Sequence, residues 1–87
     1  MSLYVLHSEK VYIECDMEYS AGKDVSCIIR GATAECVKSA LAKINGADYI
    51  TVKGGEEVNV TISTSVFKAG KTPGELIREL FILLRAC

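Results

Sequence analysis

The sequence predicts an α+β domain of two layers: a five-stranded, mainly antiparallel sheet with two helices on one face, in the order βββαββα. Three observations carry that reading. Residues 11–20, VYIECDMEYS, alternate apolar and polar with period two, as a strand with one dry face does. Residues 48–63, DYITVKGGEEVNVTIS, repeat the alternation on both sides of a glycine pair, which is a hairpin signal. Stretches 33–45 and 73–86 change to helical spacing.

Taken in order, residues 2–8 (SLYVLHS) have strand composition, with Leu3, Val5 and His7 on one parity and Tyr4 and Leu6 on the other. A three-residue polar turn at 8–10 would set His7 against Val11, Val5 against Ile13 and Leu3 against Cys15. The second strand then buries Val11, Ile13, Cys15, Met17 and Tyr19. A five-residue turn at 20–24 would set Tyr19 against Val25, Met17 against Cys27 and Cys15 against Ile29, which completes a three-stranded meander.

In the first helix, Val37, Ala40, Leu41 and Ile44 form one stripe, Thr33 is the N-cap, and Asn45-Gly46 is the stop. In the hairpin, a loop GGE at 54–56 turns Ile50 and Val52 toward Val58, Val60 and Ile62, and alternation continues through Thr64 and Val66. Thr72-Pro73-Gly74-Glu75 is a capping box that opens the second helix. That helix carries Leu76, Ile77, Leu80, Phe81, Leu83, Leu84 and Cys87 on one broad face, with Ile82 alone on the polar side.

The 87 residues suit one compact domain, residues 1–87. At 49% hydrophobic and 24% charged, with net charge −1, the composition is globular. It gives no electrostatic reason to expect direct nucleic-acid or membrane binding. The N-terminal stretch lacks the features of a secretory leader, and the longest apolar run, LFILL at 80–84, is far below the roughly 20 residues that span a bilayer. A cytoplasmic protein is expected. Cysteines at 15, 27, 36 and 87 have no zinc-type spacing and are expected to be reduced thiols.

No catalytic residue, metal site or cofactor is expected. Glu14, Asp16 and Glu18 leave the same side of the second strand, roughly 6.5–7 Å apart at each step of two residues, too splayed to chelate one ion unaided. Arg30 is expected opposite Glu14 as an ion pair, and Tyr4, Leu6, Tyr12, Ile28 and Tyr49 are expected to share this outer face. The plain reading is a solvated exterior. The functional reading is a partner-binding face made of Glu14, Asp16, Glu18, Tyr4, Tyr12, Ile28 and Arg30, suited to a basic protein. His7 with Cys15 would be a conceivable nucleophile pair, but Cys15 is expected to be buried.

Two further surfaces suggest contact. Phe81, Ile82 and Arg85 on the second helix offer a symmetric homodimer interface. Gly70, Lys71 and Thr72 resemble the end of a phosphate-binding loop, but Ser65 stands where that loop needs glycine, so this is only a weak anion site.

The expected function is a small, non-enzymatic protein-binding module. It would be an adaptor, an immunity protein or a phage-type inhibitor that sterically occludes a larger machine, itself a candidate nucleic-acid binder. One alternative is a small phosphate-binding or anion-binding protein using the 68–74 loop. The βββαββα order is also similar to the binding core of type III secretion chaperones, without their usual leading helix. That resemblance implies a dimeric binding protein.

Overall fold

A computed structural model describes residues 3–16, 24–45, 47–55 and 57–87. Its strands are β1 (Leu3–His7), β2 (Tyr12–Asp16), β3 (Val25–Arg30), β4 (Ile50–Lys53) and β5 (Val58–Ile62). Its helices are α1 (Ala34–Leu41), between β3 and β4, and α2 (Pro73–Leu84), at the end. All five strands join one antiparallel sheet in the order β1-β2-β3-β5-β4. The α+β class and the βββαββα order are those the periodicity predicts.

The inner sheet face is made by the buried side chains of Ile13 and Cys15, of Val25, Cys27 and Ile29, and of Val58, Val60 and Ile62. Val37, Ala40 and Leu41 from α1, and Leu76, Ile77, Leu80 and Leu84 from α2, complete the same core. Both helices therefore lie on one face. Each starts where its cap predicts. Thr33 Oγ1 accepts from Cys36 N at 3.1 Å, and Thr72 Oγ1 accepts from Glu75 N at 3.2 Å. α1 is shorter than its apolar stripe suggested. After Leu41 the chain tightens into i→i+3 bonds, with Lys43 N donating to Ala40 O and Ile44 N to Leu41 O, which still buries Ile44. The predicted stop at Gly46 lies outside the described residues.

Three registers differ from expectation. In the first hairpin, Ser8 N donates to Val11 O at 2.8 Å, and Ser8 Oγ accepts from Val11 N at 3.1 Å. Only Glu9 and Lys10 remain at the tip. A loop one residue shorter pairs Leu6 with Ile13 and Tyr4 with Cys15, and reverses every side chain of β1. Tyr4 and Leu6 pack against the core, while Leu3, Val5 and His7 face outward. Apolar residues on both parities of LYVLH left the choice to the Ser8 hydroxyl.

Between β2 and β3 the shift is two residues, so the faces survive but the partners change: Cys15 lies opposite Cys27, and Tyr12 opposite Arg30. The predicted core positions Met17 and Tyr19, and the outward Glu18, lie outside the described residues. The second hairpin also moves by two, pairing Lys53 with Asn59, and neither Gly54 nor Gly55 takes positive φ. Past β5, alternation gives way to a 3₁₀ segment, Thr64–Ala69, that buries Val66.

The thiol expectation is overturned. Cys15 pairs with Cys27 and Cys36 with Cys87 in two disulfides. The first follows from the β2–β3 register, which puts both sulfurs on the inner face. The second ties the C-terminal end to the first turn of α1. Gly31, at φ 85°, lets the turn after β3 press on the first hairpin, because a Cβ there would overlap the carbonyl oxygen of Lys10. Among the described residues no helix is long and apolar enough to cross a membrane.

Candidate interaction surface

The outer sheet face consists of three rows that cross the strands. His7, Tyr12 and Arg30 form one row. Val5, Glu14, Ile28, Asn59 and Lys53 form the next. Leu3, Asp16, Ser26, Thr61 and Thr51 form the third. None of these residues is buried, so neither helix covers this face.

The first row is held by a chain of contacts. The Tyr12 hydroxyl donates to Glu14 Oε1 at 2.7 Å. The Arg30 guanidinium lies over the Tyr12 ring, 5.5 Å from its centroid, and pairs with the Glu57 carboxylate. These contacts leave their mark on proton affinity. The bond to Glu14 raises the Tyr12 phenol above its ordinary value, with help from partial burial and the Glu14 charge. Glu57, by hydrogen bond and by charge, raises the Arg30 guanidinium and keeps it ionised.

The expected Arg30–Glu14 pair is thus not formed. The two-residue shift places Ile28 opposite Glu14 and carries Arg30 to Glu57. Glu14 is half-buried between two apolar cross-strand neighbours, Val5 and Ile28.

Of the residues predicted for this face, Glu14, Asp16, Tyr12, Ile28 and Arg30 come together. Tyr4 does not: the shortened turn sends it to the inner side, where it packs on the core. Leu6 goes with it for the same reason. Tyr49, at the end of the 3₁₀ turn Ala47–Tyr49, also packs on the core. In their place the face gains Leu3 and Val5, 58% and 40% exposed, and His7. The signal that could have found them is Ser8, whose side chain favours a tight turn. His7 now lies across the sheet from Cys15, which is held in a disulfide, so the two form no nucleophile pair.

On α2, Phe81 packs partly on the core, whereas Ile82 and Arg85 are exposed, Ile82 at 59%. The 70–72 segment is built into the fold. Gly70 is the left-handed cap of the 3₁₀ segment, Lys71 Nζ lies 3.8 Å from Glu79 Oε1, and Thr72 caps α2.

No protein-family model, curated protein or solved structure matches this chain.

Proposed function

We propose that this protein is a non-enzymatic binding module that seats a protein partner on the outer sheet face and acts by occupying that partner's surface. The observation that supports it is a sheet face left uncovered by either helix, on which Leu3, Val5 and Ile28 are interleaved with Tyr12, Glu14, Asp16 and Arg30. Apolar groups ringed by ordered polar ones are how interfaces join affinity to specificity. The Tyr12–Glu14 and Arg30–Glu57 contacts fix three of these side chains before any partner arrives, which lowers the entropy lost on binding. With Arg30 matched by Glu57, and Glu14 held only by the neutral Tyr12 hydroxyl, the Glu14 carboxylate keeps its charge on this face and favours a basic partner, including a nucleic-acid-binding one whose phosphate site it would fill.

The test is affinity capture from the native host with the wild-type chain, Ile28→Asp and Glu14→Lys as baits, and Arg78→Glu on α2 as a control. A partner retained by wild type and Arg78→Glu and lost from the other two supports this face. A partner that every bait retains rejects it.

A second reading is a homodimer through α2, favoured by the exposure of Ile82 on the side away from the core. Sedimentation of wild type and Ile82→Asp decides it, because a monomeric wild type removes the dimer. The two disulfides favour an oxidising compartment over the cytoplasm that the sequence suggested.

A further inference from the structure

The two disulfides sit in opposite surroundings. Cys15 and Cys27 are 0% and 1% exposed, sealed between the sheet and the helices. Cys36 is half-buried and Cys87 exposed, and together they line an open cleft of about 510 Å³. The other walls of the cleft are Lys10, Gly31, Ala32 and Thr33. Lys10 is the one charged residue among them, and Glu35, which shares the first turn of α1, is not part of the wall.

We propose that Cys36–Cys87 is a thiol–disulfide exchange site for a small anionic thiol, with Cys15–Cys27 as the inert structural pair. Three features of the site converge on this. The cleft gives a small molecule room beside the sulfurs. Lys10 supplies a positive charge for a carboxylate-bearing thiol, and the thiolate that reacts is itself an anion. Cys36 lies in the first turn of α1, where the helix N-terminus stabilises negative charge on sulfur.

Those features also set the direction of attack. Cys87 Sγ belongs to the more exposed residue, and Cys36 is the better leaving group. An incoming thiolate forms a bond to Cys87 Sγ. The Cys87–Cys36 bond breaks, and its electron pair leaves on Cys36 Sγ. A second thiolate attacks the sulfur donated by the first, releases the small-molecule disulfide, and leaves Cys87 as a thiolate. Two thiols are oxidised to one disulfide, and the protein disulfide is reduced to two thiols that carry the protons. The C-terminal end is then untied from α1, while α2 stays docked through Leu76, Ile77, Leu80 and Leu84. Gly31 places the Lys10 turn against this site by its contact with the Lys10 backbone.

Oxidised protein is exposed to glutathione buffers of increasing reducing strength, quenched with iodoacetamide, and mapped by peptide mass. Alkylation of Cys36 and Cys87 while Cys15–Cys27 stays intact, with the glutathione mixed disulfide on Cys87, is the expected result. The opening rate is then compared for glutathione and for cysteamine, a cationic thiol. Lys10→Glu should slow glutathione by roughly fivefold without slowing cysteamine. Lys10→Gln, expected to give a smaller change in the same sense, serves if Lys10→Glu disturbs the hairpin. Opening of Cys15–Cys27 first or in step, a mixed disulfide on Cys36, or equal response of both thiols to the Lys10 changes would overturn the proposal.

Discussion

Ile28 and Ile29 are neighbours in the chain and look in opposite directions. Ile29 is fully buried against the helices, with Ile13 on one side and Val58 on the other. Ile28 is half-buried in the open, between Glu14 and Asn59. The same contrast holds across the sheet. The inner face is uniformly apolar and closed by α1 and α2, so volume and shape dictate each residue. The outer face mixes an aromatic, carboxylates, a guanidinium and aliphatic groups, and folding does not demand that mixture. Residues not required for packing are the ones available to a partner, which is why the open side carries the functional reading.

The comparison breaks most readily at the inner face. Ile29→Ala should lower the unfolding free energy by about 2–5 kcal/mol in urea titration, whereas Ile28→Ala should cost about 1 kcal/mol or less. Equal losses would mean that the outer face is packed after all. Next in size is the double variant Cys15→Ala with Cys27→Ala. Loop closure over a separation of 12 residues is worth roughly 3 kcal/mol, and the same titration reads the loss. On the outer face, Arg30→Ala should leave the urea midpoint nearly unchanged, because both partners of its ion pair are substantially exposed. A larger loss would make the Tyr12–Arg30–Glu57 row a structural brace instead of a ready-made contact patch.

The smallest effect is a titration. Tyr12 should ionise above the ordinary tyrosine range when followed by tyrosinate absorbance, and Glu14→Gln should bring it down. The sign for stability follows. With the folded value raised, the Tyr12–Glu14 bond contributes fully below the ordinary tyrosine value, and the contribution is lost as pH rises through the folded one. An unchanged Tyr12 in Glu14→Gln would place the cause elsewhere.

Periodicity made the inner face legible, because β2, β3 and β5 each bury one parity and leave the other polar or mixed. Shifts of two residues in β2–β3 and β4–β5 left those faces intact, so the fold class survived errors of register. They do not leave the partners intact: alternation alone sets Arg30 against Glu14, and only the true register brings Cys15 opposite Cys27. β1 was illegible for a different reason. Both of its parities are apolar, and a side-chain-to-backbone bond at Ser8 outweighs any pattern of hydropathy. The Cys36–Cys87 pair was hidden because it joins residues 51 apart through the packing of two helices, a relation no local spacing encodes.

The strand order has a consequence for biosynthesis. β5 is the last strand of the sheet to leave the ribosome, yet it lies inside the sheet, between β3 and β4. At roughly 5–20 residues per second, the stretch from Arg30 to Val58 takes about 1–6 s to translate. Until then β3 is a raw border, its backbone unpaired on one side. A nascent chain paused in that interval can stick to its neighbours through β3, and arrival of Val58–Ile62 ends the danger.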